Sequence, residues 1–265
     1  RLTKVTGVQT CALPIFEPDH LDVHRTFDEY IDAKSNICRY QQANDITIYH
    51  PTNIYSQQIA LTSGGDGQAY RYGIPDDFQV YADGVYFMSQ NRQVCPTDAV
   101  QLPGGYNLDN ACAAMSAAAM AFPGISPEVY YYGLRSFTGL PHRLKRVAEK
   151  SGVTYYDDSI ATTPGSAIAA IGAFMQPKVL ILGGHDKGGD YTALAKEIAR
   201  SNMRVVILMG SNAEKIAQTI YSVAPQTNLI VKGKVPMAEV VRTAATAAQA
   251  GEDRKSTRLN SSHLR

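Results

Sequence analysis

Apolar residues recur along this chain at two different periods, and the expected elements follow from them. Phe27, Tyr30, Ile31, Lys34 and Ile37 share one helical stripe, and Thr26 with Glu29 three residues on makes a capping box at its start. Residues 45–50 read as a strand. Within 78–89, Asp83-Gly84 stands between apolar flanks, a strong local hairpin signal. Residues 107–122 are Ala-rich and helical. Pro123-Gly124 close that helix, which puts a domain boundary near 122–126.

Beyond the boundary, strands and helices alternate. Strands are expected at 153–156, 178–182, 204–209 and 228–231. Helices are expected from near Leu144 and at 164–174, 191–199, 212–222 and 236–250, with Pro164 suited to a first turn. VLIL and VVIL are short, wholly apolar runs of the kind that central parallel strands need when helices cover both faces. The fold class is therefore α/β, with a Rossmann-like three-layer domain on the C-terminal side.

The two ends break the pattern. RLTKVTGVQTCALPI has no clean period, and EDRKSTRLNSSHLR stops an Ala-rich helix abruptly; both resemble translated adapter or vector sequence. Setting aside 1–15 and 251–265 as a non-native leader and tail leaves 16–125 and 126–250 as the two domains.

Composition narrows the function classes. The 265 residues, 45% of them hydrophobic, suffice for two buried cores. Lys+Arg 25 against Asp+Glu 24 gives no reason to expect nucleic acid as a partner. Cys11, Cys38, Cys95 and Cys112 are scattered with no CxxC pair, which argues against a zinc site or a disulfide scaffold. No stretch approaches the roughly 18 apolar residues of a membrane span.

In an open parallel sheet, ligands lie beyond the carboxyl ends of the strands. Three loops fall there: Asp157-Asp158-Ser159, the glycine-rich GGHDKGGD from Gly183 to Asp190, and Gly210-Ser211-Asn212. The glycines permit close backbone approach and Lys187 can pair with a carboxylate or phosphate, although such a loop also serves as a plain strand-to-helix turn. GxGxxG is absent, so it is no dinucleotide fingerprint. Thr163 is placed to cap the helix at Pro164, leaving Ser159 and Thr162 to donate to an anion. Asp158 either orients a cation or an amine or is a solvated turn residue. Arg143, in GLPHR, suits a bidentate phosphate contact or is merely solvated. Asn107 and Asn110 share a helical face and can read a planar base, unless Asn107 simply caps the helix. No Ser-His-Asp or Cys-His arrangement stands out.

Lys34 is the physical oddity, because a charged amine on an apolar stripe is costly. Either it snorkels out, or burial keeps it neutral and able to take up carbon dioxide as a carbamate. A carbamate would be an anionic metal ligand, with His20 nearby in sequence as a nitrogen ligand.

In this order, PDHLDVHRTFDEYIDAKSNI, LPGGYNLDN, FTGLPHR, YYDDSIATTPGSAIAAI and GGHDKGGDY are similar to the central and C-terminal domains of the Mur ligase family. The GLPHR, DDS-AT and GG-DKG-D combination resembles its D-glutamate-adding branch. The resemblance covers about 16–250. It implies the remainder of a central ATPase domain without its P-loop portion, followed by a truncated Rossmann-like C-terminal domain. It also implies a cytoplasmic monomer that uses ATP and Mg2+ to join D-glutamate to UDP-N-acetylmuramoyl-L-alanine through an acyl phosphate. By the same resemblance His20 and carbamylated Lys34 hold a magnesium ion, and Asn107 and Asn110 face adenine. Arg143 contacts phosphate, Asp158 lies at the nucleotide edge and Ser159, Thr162 and Lys187 surround D-glutamate.

Two positions depart from that family pattern. Tyr106 replaces a histidine and can stack on adenine, whereas Ile160 replaces a lysine and cannot supply its charge. A ligase of different amino-acid specificity is the alternative that Ile160 favours. A non-catalytic nucleotide-binding domain is the alternative that the missing GxxxxGK[ST] favours, while a nicotinamide oxidoreductase lacks its glycine fingerprint. Without a phosphate-cradling loop the transferring phosphate loses its main electrostatic clamp, and the shortened C-terminal sheet is expected to expose an edge. A phosphate-release assay on the 265-residue chain with magnesium, ATP, UDP-N-acetylmuramoyl-L-alanine and D-glutamate is therefore expected to stay at the no-protein control. Turnover clearly above that control would contradict the expectation.

Overall fold

The computed structural model describes residues 10–14, 23–75, 79–186, 189–248 and 254–259, which fall in two compact α/β units, Arg1–Thr138 and Gly139–Arg265. The first unit is built on a parallel sheet in the order β1-β2-β3, with β1 at Thr10–Leu13, β2 at Ile46–Tyr49 and β3 at Gln68–Arg71. Strand alternation sends the side chains of β2 to two cores. Tyr49 packs with Ile31 and Cys38 of α1 (Phe27–Arg39) and Ile59 of α2 (Ile54–Thr62), while Ile48 packs with Cys112 and Met115 of α3 (Tyr106–Ala121). Thr26 caps α1 by accepting the Glu29 N–H at 3.1 Å, and Glu29 reaches back to the Arg25 N–H rather than to that of Thr26.

A small antiparallel sheet completes the second core through Phe87 and Cys95. Its strands are β4 (Tyr81–Ala82), β5 (Tyr86–Ser89) and β6 (Arg92–Pro96). The first turn lies one residue later than expected: Asp83 pairs with Tyr86, leaving Gly84-Val85 at the tip. Gln90 and Asn91, with φ of 49° and 58°, form the second turn, both in the left-handed conformation of a type I′ hairpin. Helix α4 (Pro127–Ser136) packs Tyr130, Tyr131 and Leu134 on this core, so the first unit runs past Pro123-Gly124 to Thr138.

The second unit has a six-stranded sheet in the order β11-β10-β9-β12-β8-β7. Its strands are β7 (Lys145–Lys150), β8 (Val153–Asp158), β9 (Lys178–Gly184), β10 (Met203–Gly210), β11 (Leu229–Gly233) and β12 (Arg254–Leu259). All pair in parallel except β7. The segment after Leu144 is thus a strand, not the expected helix. Ser151-Gly152, with φ of 52° and 73°, turns it into β8. Residues 254–259, which the sequence pattern set aside, lie between β8 and β9 and complete the sheet there.

Three layers result, as expected. Helix α8 (Met237–Ala247) covers Val179, Ile181, Val205 and Ile207 on one face. Helices α5 (Pro164–Gly172), α6 (Thr192–Arg200) and α7 (Ala213–Val223) lie side by side on the other. The four cysteines are free and buried, and among the described residues no helix is long and apolar enough to cross a membrane.

Backbones approach most closely where β9 and β10 end. A Cβ on Gly183 (φ +129°) would stand 1.9 Å from the Met209 carbonyl oxygen, and one on Gly210 (φ +85°) 2.3 Å from that of Gly184. Gly183→Ala is expected to destabilise the chain by more than about 2 kcal/mol in urea unfolding, through combined φ strain and overlap. Gly172→Ala, where nothing lies within 4 Å, should be neutral or stabilising by up to about 1 kcal/mol. Equal midpoints for the two variants would refute this account.

Candidate functional site

In the second unit, the carboxyl end of β8 organises the GLPHR loop. Asp158 is 6% exposed, and its Oδ1 accepts the Leu144 N–H at 2.8 Å. It is therefore not a solvated turn residue, and one of its oxygens is committed to backbone. Burial pushes its carboxyl above the ordinary value, opposed by the Leu144 N–H and the Arg143 charge and reinforced by Asp157. Asp157 takes His142 Nδ1 on Oδ2 at 2.8 Å and the Ser159 N–H on Oδ1 at 3.0 Å. Burial also acts to raise Asp157, but the bonds from Ser159 and His142 outweigh it and hold this carboxyl low.

Ser159 is not left unengaged as the sequence suggested, because its Oγ lies 3.2 Å from His142 Nδ1. Ser159, His142 and Asp157 thus meet, but hydroxyl and carboxylate share the same ring nitrogen. A proton relay through the ring needs both nitrogens, so this is a grip on His142 and not a nucleophile triad. The loop is locked with His142 at φ 63° and Leu144 at φ 44°, flanking an exposed Arg143. Thr163 caps α5 as expected, accepting the Ser166 N–H at 3.1 Å. Thr162 and Ile160 are exposed.

The glycine loop follows β9 at the same edge. Asn212 Oδ1 accepts the Gly184 N–H at 2.8 Å, and Asp190 Oδ1 accepts the N–H and hydroxyl of Thr192 at the start of α6. Lys187 lies outside the described residues.

In the first unit, Asn107 is not the helix cap. Gly105 holds that position, while Asn107 Nδ2 donates to the Pro103 carbonyl at 2.8 Å and its Oδ1 accepts Asn110 Nδ2 at 3.2 Å. The two amides share one face, as expected. Gly104 (φ +97°) lies so close to Tyr106 that a Cβ there would stand 2.6 Å from its ring.

A second polar group at the ends of β2 and β3 was missed from sequence. Buried His50 bonds Thr52 Oγ1 through Nδ1 at 2.9 Å and meets the Tyr72 ring edge-on at 5.2 Å. Burial, then Asp109, raises the Tyr72 hydroxyl and pushes the Cys112 thiol up to about 12. Their position just after two parallel strands was the available signal.

Lys34 is not on the buried stripe. That face is Tyr30, Ile31, Ser35 and Cys38, whereas Lys34 is exposed and Ile37 is 43% exposed. The true stripe steps from Ile31 to Ser35 and Cys38, so the sequence pattern had drifted one residue around the helix. The Lys34 ammonium lies 5.3 Å above the Tyr30 ring, in reach of water, and the burial that argued for carbamate chemistry is absent. His20 lies outside the described residues. Among the described residues no group of three or more His, Cys, Asp or Glu is placed to hold a metal ion.

Two family models match this chain in order: the Mur ligase middle domain over residues 1–118, and the Mur ligase glutamate ligase domain over 142–254. The chain belongs to the Mur ligase family. Its relatives include UDP-N-acetylmuramoylalanine–D-glutamate ligases, 31% identical in Thermoanaerobacter sp. (strain X514) and 33% in Caldanaerobacter subterraneus subsp. tengcongensis. Each alignment covers 89% of this chain, which spans about half of the relatives' length (52% and 51%). Among solved structures, Mycobacterium tuberculosis folylpolyglutamate synthase complexed with ADP and AMPPCP shares the fold (TM-score 0.71, 15% identity, 97% of this chain and 62% of that one). So does the Acinetobacter baumannii UDP-N-acetylmuramoylalanyl-D-glutamyl-2,6-diaminopimelate–D-alanyl-D-alanyl ligase (TM-score 0.67, 19% identity, 96% and 55%).

The two adjacent aspartates shift in opposite directions, which predicts distinct pH behaviour. Asp157, held low, stabilises the fold above about pH 4, and that contribution is lost as pH falls through its depressed value. Asp157→Asn should cost at most about 1 kcal/mol at pH 7, since His142 is exposed, and the penalty should shrink as acid protonates the carboxyl. Asp158 is raised, so its ionisation costs stability as pH rises; Asp158→Asn keeps the acceptor and should stay within about 1 kcal/mol. Asp158→Ala strands the Leu144 N–H and should cost about 1–3 kcal/mol. Urea unfolding against pH checks all three, and a pH-independent Asp157→Asn penalty would contradict the assignment.

Proposed function

We propose that this chain is part of an ATP-dependent ligase of peptidoglycan synthesis that adds D-glutamate to UDP-N-acetylmuramoyl-L-alanine. The observation that carries the reading is the locked loop around Arg143, standing in a chain whose relatives bear that ligase name. An exposed guanidinium at the carboxyl end of a parallel sheet is suited to phosphate, and the backbone that carries it is fixed by Asp157 and Asp158 before any ligand arrives.

In this reading ATP phosphorylates the alanyl carboxylate, giving an acyl phosphate and ADP. The D-glutamate amine attacks the activated carbonyl, and the tetrahedral intermediate expels phosphate to leave the amide. Arg143 neutralises charge on the phosphates, and Asn107 with Asn110 offers paired amides to adenine. Asp158 acts as a positioning residue for Arg143. Ser159, Thr162 and Lys187 belong to the D-glutamate side, where Lys187 is the carboxylate partner by charge. Magnesium, where bound, shields phosphate charge; His20 and Lys34 are its candidate holders, and Lys34 would have to be carbamylated while exposed.

Exposed Ile160 favours a second reading, a ligase of the same family with another amino-acid specificity. In a complete protein carrying this segment, phosphate release should require UDP-N-acetylmuramoyl-L-alanine and D-glutamate together. Arg143→Ala should lower kcat/KM for ATP by about 100-fold, while Asn110→Ala should mainly raise the KM for ATP, by about tenfold. Preference for L-alanine, L-lysine or diaminopimelate would move the assignment to the second reading.

A further inference from the structure

The Gly210-Ser211-Asn212 loop and the first turn of α7 have no role in the reading above, yet they hold the glycine loop at both shoulders. At its entry, besides the Asn212 contact, the Ser211 N–H bonds the Gly184 carbonyl at 2.8 Å and Ser211 Oγ accepts the Asp186 N–H at 3.2 Å. At its exit, Asn212 Nδ2 donates to Tyr191 Oη at 3.2 Å. Lys215 reaches both shoulders. Its Nζ lies 3.4 and 3.5 Å from the two Asp186 carboxylate oxygens and 5.6 Å from the centre of the Tyr191 ring.

Charge explains why that lysine matters. Between Gly184 and Tyr191 the sequence has Asp186 and Asp190 against a single lysine, so with neutral His185 the segment is net negative. An acidic amino acid approaching it meets repulsion unless a neighbouring element supplies cations. Lys215 and Lys196 are those cations: after the hydrogen bonds from Thr192, their charges help hold the Asp190 carboxyl low.

We propose that Lys215 is a positioning residue for acidic amino-acid binding at this loop, neutralising Asp186 and fixing the loop's shoulders, with Asn212 as the uncharged half of the same clamp. This rests on the D-glutamate reading. The role is electrostatic as well as structural, so cancelling the charge it balances should cancel its loss.

D-glutamate titrated into the 15N-labelled 265-residue chain tests this through the Gly184 and Asp186 amide resonances. Lys215→Met should weaken binding by about fivefold and Lys215→Arg by less than about twofold, with thermal melting showing both folded. The double variant Asp186→Asn/Lys215→Met should recover to within about twofold of the parent, which a merely structural role for Lys215 would not permit. Parent-like binding by Lys215→Met, or a double variant as weak as the single one, overturns the inference. An unmodified chain whose resonances do not move with D-glutamate overturns the D-glutamate reading itself, and the inference with it.

Discussion

The bond between the buried Asp158 carboxylate and the Leu144 N–H sets the geometry on which the rest of the second unit's site depends. A carboxyl group in the interior is costly unless it is met by donors. Here the donor belongs to a residue in a conformation that costs about 1 kcal/mol or more for any side chain with a Cβ. His142 stands in the same region two residues earlier. Both are retained because several groups over-determine them. Leu144 is 5% exposed, the His142 carbonyl accepts the Ile160 N–H at 3.1 Å, and the His142 ring is gripped by Asp157. Arg143 gains a fixed backbone between two restrained neighbours while its own side chain stays in solvent. Reorganisation that a flexible arginine loop would need on meeting phosphate is thereby largely completed in folding.

The opposite arrangement serves the glycine loop. There the conformational cost is removed by the absence of side chains, since Gly183 and Gly210 allow β9 and β10 to end with their backbones in contact. Glycine fixes nothing by itself, so order comes from the next element, where buried Asn212 spends its amide on both Gly184 and Tyr191. One end of the sheet therefore carries two loops anchored by different means: strain compensated by carboxylates in one, and an amide that holds the two described shoulders of the other.

Much of this was legible in the sequence, and what was not has identifiable causes. VLIL and VVIL marked β9 and β10 because their wholly apolar character needs two covered faces, and Thr26 and Thr163 announced the helices they cap. β7 was misread because KRVAEK is mostly exposed and carries no apolar alternation that would separate an edge strand from a helix. The readable signal was Ser151-Gly152, a turn pair whose left-handed φ values fix a hairpin. Lys34 failed for a geometric reason. Stripes from Tyr30 and from Ile31 differ by 100° of helix, and both pass apolar residues, so only the packing of Ser35 and Cys38 decides between them. Asn212 was visible as a loop residue, but its service to two neighbours was not, because both contacts join residues distant in sequence.

The two departures from the family pattern are unequal in physical consequence. Tyr106 lies against Gly104 beside the paired amides of Asn107 and Asn110, so replacing one ring by another keeps an aromatic face where a base can stack. Ile160 removes a full charge, and its immediate neighbours cannot replace it. The Ser159 hydroxyl already meets His142, and Thr163 is spent on the Ser166 N–H. Under the ligase reading, charge complementary to the carboxylates of D-glutamate must then come from the glycine loop and the helices flanking it. That loop is net negative without help from α6 and α7. Under that reading Lys187 acts together with cations on those helices, elements that show no recognisable motif and that no reading of the loop alone would include.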